Sequence, residues 1–323
     1  MRERYFEAVV LGRRTLTPRI CEFRLGAADG SALPMAEAGS HIELRFGGAD
    51  GRFCRHYSLV GPLTIDEPGE PFWRISVQRE NRARGSAFLH DQIRPGARLK
   101  VSQPINAFRL ARNQAHTLLV AGGVGVTPIY TMARSLRQRQ APFSLMYAGL
   151  NRSAMAYVED LLRLCGDRMT LHETEREGVP DLKALLSVQP EGSVAYICGP
   201  GPMIEALRAA GDALRWPRQN IRFELFNAAH RPDDAAFEVA TRSGRTIQVG
   251  AGVTLLEALE AAGADTLSDC RRGECGLCVT DVVACDGAID HRDRYLDPTT
   301  RDGNTKLAIC CSRFQGTRLE LDV

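Results

Sequence analysis

Cys270-Arg271-Arg272-Gly273-Glu274-Cys275-Gly276-Leu277-Cys278 is the stretch of this 323-residue chain whose reading decides most about it. Its C-x4-C-x2-C spacing, completed by a later cysteine at Cys310 or Cys311, is a pattern that holds a [2Fe–2S] cluster. Thiolates are soft ligands suited to iron, and a short loop can wrap three of them round a compact cluster only where small residues intervene. Gly273 and Gly276 let backbone amides approach the sulfurs, and such hydrogen bonds tune a cluster's reduction potential. Cys310 and Cys311 are adjacent, so on an extended segment their side chains point to opposite faces and only one ligates easily. A structural zinc site would show paired C-x2-C motifs, whereas only one such pair is present here.

Working outward, the other cysteines sharpen this reading. Of the 10 in the chain, Cys270, Cys275, Cys278, Cys285, Cys310 and Cys311 crowd towards the C-terminus. In a small secreted domain that would mean disulfides; in a cytosolic enzyme it means metal or redox chemistry. Cys21, Cys165 and Cys285 read as core thiols. With 44% hydrophobic and 25% charged residues the composition is that of an ordinary globular protein, and the length calls for two or three domains. The net charge, 41 − 39 = +2, gives no reason to expect nucleic acid or an anionic membrane as partner. It is unevenly spread: from Phe237 onward 10 Lys and Arg face 14 Asp and Glu, leaving 31 against 25 for the rest. An acidic tail on a basic body suits electrostatic docking. No apolar run approaches the ~20 residues of a membrane span, and Met1-Arg2-Glu3-Arg4-Tyr5 leads into strand-like residues without a signal peptide. The expectation is a cytoplasmic monomer with no membrane contact.

Three textures follow one another along the chain. Up to about residue 110, short alternations such as Glu43-Leu-Arg-Phe46 and Trp73-Arg-Ile-Ser-Val77 are separated by Gly, Pro and Asp turns, which predicts a closed antiparallel β-barrel. From about 115 to 228, strand-like runs (Thr117-Leu-Leu-Val-Ala121, Ser144-Leu-Met-Tyr-Ala148, Ala195-Tyr-Ile-Cys198) alternate with helical patterns at 128–138, 154–164 and 202–214. That alternation predicts a doubly wound parallel α/β sheet. A polar, proline-bearing linker follows, then a hairpin about Ser243-Gly244 and a helix over 255–262 ending at Gly263. The expected boundaries are 1–111, 112–228, a linker at 229–236, and 237–323.

Two further stretches carry chemistry. Ala121-Gly-Gly-Val-Gly125-Val-Thr-Pro128 leaves a strand and opens a helix, so Gly122, Gly123 and Gly125 let amides approach a pyrophosphate at a helix N-terminus. Thr127 fits the N-cap and Pro128 the first helical position. Pro128 stands where the Rossmann fingerprint wants its third glycine, which argues against a standard dinucleotide motif. Arg55-His-Tyr57-Ser58 offers what a flavin needs: a cation for phosphate, an aromatic face for the ring system, and a hydroxyl near ring nitrogen N5.

These motifs carry a resemblance. The C-terminal segment is similar to plant-type ferredoxins of β-grasp fold, whose last ligand stands in a Cys-x-Ser-Arg pattern; Cys310-Cys311-Ser312-Arg313 then places Cys310 as fourth ligand beside Cys270, Cys275 and Cys278. The glycine turn matches the G-G-x-G-x-[TS]-P signature of ferredoxin reductases. Cys198-Gly199-Pro200 resembles their Cys-Gly-Pro segment beside the nicotinamide, and Phe226 occupies the place of their aromatic over the flavin. Arg-x-Tyr-Ser is the flavin motif of that barrel, and Arg84-Gly85-Ser86 resembles its second phosphate-binding turn, though with one glycine before the serine where two are common. The order flavin barrel, nicotinamide domain, ferredoxin resembles the phthalate dioxygenase reductase family, which includes vanillate demethylase reductases.

That resemblance implies FMN rather than FAD, NADH as donor, and a separate Rieske-type oxygenase (a ring-hydroxylating dioxygenase or an O-demethylase) as acceptor; a cytochrome or another acceptor is the alternative. NADH gives two electrons and the cluster takes one at a time, so a flavin belongs between them. Ser58, Thr127, Cys198 and Phe226 are the residues expected around the reacting rings. No general base is required, so His90 and His172 read as structural. Asn151-Arg152-Ser153 stands where an acid after the second strand would favour NADH, and no acid is there; the preference for NADH comes from the resemblance.

Overall fold

The computed structural model describes residues 5–47, 53–61, 72–80, 84–226, 234–251, 253–268, 271, 273, 276–293 and 295–323. Contacts divide the chain into two compact units, Met1–Glu224 and Leu225–Val323. The division falls just short of residue 228, the expected end of the nucleotide-binding segment.

The first unit begins with an antiparallel sheet of six strands, β1 (Tyr5–Thr15), β2 (Ile20–Ala27), β3 (His41–Phe46), β4 (Phe53–Ser58), β5 (Trp73–Gln78) and β6 (Arg98–Ser102), in the order β4-β3-β6-β1-β2-β5. Helix α1 (Arg84–Gln92) lies between β5 and β6 in the chain. Alternation along β3 sends Ile42, Leu44 and Phe46 into a core with Phe23, Leu25, Ile75, Val77 and Val101. The two edge strands meet at a Leu59–Ile75 bridge, and Val60 N donates to Arg74 O at 2.8 Å. The sheet is thus a nearly closed barrel, with the flavin-type motif on β4 at the seam.

The same unit continues as β7 (Thr117–Gly122), α2 (Val126–Gln138), β8 (Phe143–Gly149), α3 (Val158–Cys165), β9 (Met169–Glu173), α4 (Thr174–Glu177), α5 (Leu182–Ser187), β10 (Val194–Cys198), α6 (Gly201–Ala213) and β11 (Ile221–Glu224). The strands are parallel in the order β11-β10-β7-β8-β9, which is doubly wound. Every residue of β7 is buried, as expected of a strand covered on both faces. Two helix starts differ from the sequence expectation. A 3₁₀ turn at Gly123–Gly125 runs straight into α2, so Gly125 is the N-cap and Thr127 and Pro128 lie inside the first turn. Helix α3 starts at Val158 rather than 154, because Tyr157 before it is left-handed (φ 61°) and a right-handed helix cannot continue back through it.

The second unit is a mixed sheet of β12 (Phe237–Thr241), β13 (Thr246–Val249), β14 (Val279–Asp290), β15 (Lys306–Ala308) and β16 (Arg313–Leu321), ordered β13-β12-β16-β14-β15, with α7 (Leu255–Ala261) and α8 (Pro298–Asp302). Thr254 and Glu257 form a capping box at the start of α7, whose Leu255, Leu256 and Leu259 pack against Val239, Val249, Leu307 and Leu319. Asp234 and Ala235, from the expected linker, are tied to this unit. The Asp234 carboxylate pairs with both Arg292 Nη atoms at 3.0 and 2.5 Å, and Arg313 donates to Ala235 O.

Candidate functional site

The doubly wound sheet places its switch point between β7 and β10, whose carboxyl ends carry the two glycine turns. Ligands bind in the crevice outside that point. Cys198 and Ala121 are register partners, so the turns leave the sheet side by side. A Cβ on Gly122 would stand 2.7 Å from Pro200 Cδ and 2.8 Å from Met203 Sδ, and one on Gly125 would strike the Cys198 carbonyl and lie 2.7 Å from Gly199 N. These two glycines are therefore required by the contact between the turns. A Cβ on Gly123 would meet nothing within 4 Å, so this residue faces the open side where a pyrophosphate can approach. Thr127 is buried and its hydroxyl donates to Val124 O at 3.0 Å, which fixes the helix start. Cys198 is fully buried, and its register partner on β11 is Glu224, a buried carboxylate. Reading the sequence for an aromatic at Phe226 passed over Glu224, although the two stand in one short segment. Phe226 itself is half-buried and falls in the second unit, which begins at Leu225.

On the barrel, β4 carries Arg55, Tyr57 and Ser58. Gly85 lies against Arg55: a Cβ there would be 3.5 Å from Arg55 Nε and from the Phe46 ring. The expected second phosphate turn is the N-terminus of α1, and Ser86 Oγ accepts from Glu80 N at 3.0 Å. A cation and a helix N-terminus thus converge, an arrangement suited to a phosphate. Ser58 is 5% exposed, and its buried hydroxyl has no hydrogen-bond partner among the described residues. Buried hydroxyls are ordinarily satisfied, so this orphan fits a ligand bearing a polar edge, as a flavin does. His90 and His172 take structural places: their Nε2 atoms lie 2.9 Å from Val77 O and 2.8 Å from Gly178 O.

At the carboxyl end of β8, Asn151 caps a short 3₁₀ turn and its side-chain amide donates to Glu175 at 2.9 Å. Arg152 is engaged by Glu159 at 2.6 Å, and its backbone amide donates to Glu173 at 3.0 Å. Carboxylates absent from the local sequence are therefore supplied by α3 and by the end of β9.

In the second unit, Cys278, Cys310 and Cys311 are described, whereas Cys270 and Cys275 lie outside the described residues. All three thiols are buried. The Gly273 amide donates to Cys310 Sγ at 3.1 Å, while Cys311 Sγ is turned to Ala308 O at 3.8 Å. The hydrogen bond with the Cys310 thiol, followed by burial, pushes the Cys278 thiol far above its ordinary value. Two buried thiols in contact resist ionisation on their own; a cationic centre between them reverses that, which is what an iron cluster provides. Gly273 and Gly276 both have φ near +75°; a Cβ on the first would lie 2.5 Å from Cys311 Sγ and 2.7 Å from Asp293 Cα, and one on the second would enter the Tyr295 ring. Asp293 in turn accepts from the amides of Tyr295 and Leu296, and so shapes the wall behind the cysteine loop. Neither residue had a local signal in the sequence.

A seamed antiparallel barrel, a doubly wound nucleotide sheet and a cysteine-bearing β-grasp unit on one chain define an iron–sulfur electron-transfer reductase. A family model described as a 2Fe-2S iron-sulfur cluster binding domain matches residues 239–315, and one described as an oxidoreductase NAD-binding domain matches residues 119–209. Phenoxybenzoate dioxygenase subunit beta of Ectopseudomonas oleovorans is 38% identical over 308 residues, covering 94% of this chain and 92% of the relative. Vanillate O-demethylase oxidoreductase of Pseudomonas sp. (strain HR199 / DSM 7063) is 34% identical over 326 residues, covering 98% and 99%. The solved structure of phthalate dioxygenase reductase, titled a modular structure for electron transfer from pyridine nucleotides to [2Fe–2S], superposes with a TM-score of 0.81 at 28% identity, covering 99% of this chain and 98% of that one. The chain belongs to the phthalate dioxygenase reductase family of flavin- and NAD-dependent iron–sulfur reductases. Among the described residues no helix is long and apolar enough to cross a membrane.

Proposed function

We propose that this chain is the reductase component of a Rieske-type oxygenase system, taking electrons from NADH and passing them by way of FMN and a [2Fe–2S] cluster to a separate terminal oxygenase. The observation that carries this is the composition of the first unit. A buried Ser58 hydroxyl with no hydrogen-bond partner among the described residues, and an Arg55 guanidinium against Gly85 at the α1 N-terminus, share that unit with a switch point built from Gly122, Gly125 and Gly199. In this reading 1–111 is the flavin barrel, 112–228 the nucleotide domain, 229–236 the linker and 237–323 the ferredoxin. Arg55, Gly85 and Ser86 hold the flavin phosphate, Tyr57 covers the ring and Ser58 meets its polar edge. Gly122, Gly123, Gly125 and Pro128 form the pyrophosphate turn; Thr127, Cys198, Gly199 and Pro200 orient the nicotinamide, with Phe226 screening the flavin. Cys270, Cys275, Cys278 and Cys310 hold the cluster. When bound, the flavin converts a two-electron donor into a supply for a one-electron acceptor. NADH is favoured because Arg152 is neutralised by Glu159 and surrounded by carboxylates, which disfavours a ribose 2′-phosphate. The chain works as a cytoplasmic monomer.

An absorption spectrum of the purified protein tests this directly. Flavin bands and a reddish cluster absorbance are expected, both bleached anaerobically by NADH. A colourless protein, or one bleached by NADPH alone, would contradict the reading.

A further inference from the structure

We infer that Tyr157 is a positioning residue, whose hydroxyl pins the nucleotide-binding sheet to the flavin barrel and thereby sets how the nicotinamide meets the flavin. The inference rests on the function proposed above. Tyr157 precedes α3 with φ 61° and ψ 17°, a left-handed conformation that disfavours any residue with a Cβ and that glycine or asparagine would adopt more readily. Such strain persists where side-chain contacts over-determine it. The contacts are plain. The Tyr157 ring lies 5.3 Å from that of Tyr130 on α2, and its hydroxyl donates to Glu22 Oε2 at 2.8 Å and is 2.5 Å from Ser76 Oγ.

Glu22 and Ser76 are themselves register partners on β2 and β5, so one hydroxyl bridges a cross-strand pair of the barrel. Glu22 is fully buried. Its Oε2 also accepts from Arg14 at 3.3 Å, while among the described residues Oε1 has no hydrogen bond and lies 3.6 Å from Arg24 Nε. A buried carboxylate depends on each of its donors, and among the described residues Tyr157 is the one that comes from the nucleotide-binding half.

The node also stands at a junction. Ser76 adjoins Ile75, whose bridge to Leu59 closes the barrel one residue beyond Ser58. Tyr130 lies on the helix that opens directly from the glycine turn at Gly123–Gly125. A single side chain therefore connects the barrel seam, through its hydroxyl, to the helix that carries the nucleotide turn, through its ring. Thr131 Oγ1, accepting from Gly39 N at 3.2 Å, is a second barrel contact of that helix.

Tyr157→Phe removes the hydroxyl and leaves the ring in place. In anaerobic single-turnover mixing of the holoenzyme with NADH, the variant is expected to keep its flavin content and half-saturating NADH concentration. The limiting rate of flavin reduction should fall about tenfold, since small misplacements of reacting groups are costly, and the isotope effect with 4-deuterated NADH should rise. Ser76→Ala should move both readouts the same way, and Ser76→Thr, which keeps a hydroxyl, should restore them. An unchanged rate and isotope effect in Tyr157→Phe overturns the inference, as does a raised half-saturating concentration with an unchanged limiting rate. If Tyr157→Phe does not fold, wild-type behaviour of Ser76→Ala overturns it. A wild-type flavin that NADH fails to reduce would instead sink the proposed function, and this inference with it.

Discussion

Gly273 sorts two adjacent cysteines: its amide donates to Cys310 Sγ at 3.1 Å, and the position its Cβ would take lies 2.5 Å from Cys311 Sγ. An amide aimed at a sulfur stabilises a thiolate and tunes the metal it holds. Among the described residues Cys311 receives no such bond; its thiol is turned to Ala308 O and lies beneath the loop. In the proposed function the two cysteines therefore have different work, ligation for Cys310 and packing for Cys311.

Serine substitutions separate these roles. Cys310→Ser and Cys278→Ser should lose most of the iron and acid-labile sulfide while retaining flavin, and NADH–ferricyanide activity, which needs only the flavin, should survive. Cys311→Ser should keep its cluster. Iron per flavin and the visible spectrum decide the matter; a cluster lost in Cys311→Ser and kept in Cys310→Ser would reverse the assignment.

Gly273→Ala tests the loop itself. The new methyl group must displace either Cys311 or the Asp293 backbone, and it sits on a residue with φ 75°. Destabilisation of roughly 1–3 kcal/mol is typical for overpacking of this kind. The expected outcome is a flavin-replete protein with reduced cluster content whose remaining cluster is lost faster in a chelator. Wild-type cluster content and lifetime would show that the loop has more room than its geometry indicates.

At the barrel, Arg55→Ala should weaken flavin retention, and Ser58→Ala should slow flavin reduction more than it weakens retention. The first removes the cation proposed to hold the flavin phosphate, with an expected effect of about 1.5–3 kcal/mol on binding. The second removes a hydroxyl with no partner among the described residues, so folding should be untouched. Flavin fluorescence after gel filtration and stopped-flow reduction by NADH give the two quantities. Equal behaviour of the two variants would argue against separate roles.

The motifs were legible because their chemistry is local. The cysteine loop states its requirement by spacing, whereas the two glycine turns and Arg55-His-Tyr57-Ser58 are contiguous stretches whose reading leaned on the resemblance to ferredoxin reductases. Alternation and strand–helix rhythm likewise gave barrel and parallel sheet. What escaped was non-local. The run Ile20-Cys-Glu-Phe-Arg-Leu25 alternates as though Glu22 faced water, yet Glu22 is buried and Tyr157 of the nucleotide-binding half donates to it. Apolar periodicity carries the expected helix back to 154, because hydrophobic pattern is blind to the sign of φ at Tyr157. Thr127-Pro128 has the chemistry of a helix start, yet the 3₁₀ turn before it moves that start upstream. Asp293 and Tyr295 reach the cysteine loop only through the fold.

Acid stability should depend on Glu43. Burial opposes its ionisation, but the nearby His56 ring and hydrogen bonds from Cys54, Tyr5 and Arg45 outweigh it and hold the carboxyl well below its ordinary value. Arg45 Nε lies at 3.0 Å, Cys54 Sγ at 2.9 Å and His56 Nε2 at 3.8 Å, around a residue 2% exposed. Since the folded-state value is lowered, the unfolded chain takes up the proton first. The stabilisation is therefore fully present above the ordinary value of 4.5 and is lost progressively as pH falls below it. Glu43→Gln keeps the shape and removes the charge, so at neutral pH it should be less stable by roughly 1–3 kcal/mol, the scale of hydrogen bonds to a charged group. The gap between variant and wild type should then narrow as the medium is acidified towards about pH 3.5, because the wild type loses its advantage while the variant has none to lose. Thermal unfolding followed by circular dichroism across that range provides the check; a gap of constant size at every pH would show that Glu43 contributes through packing alone.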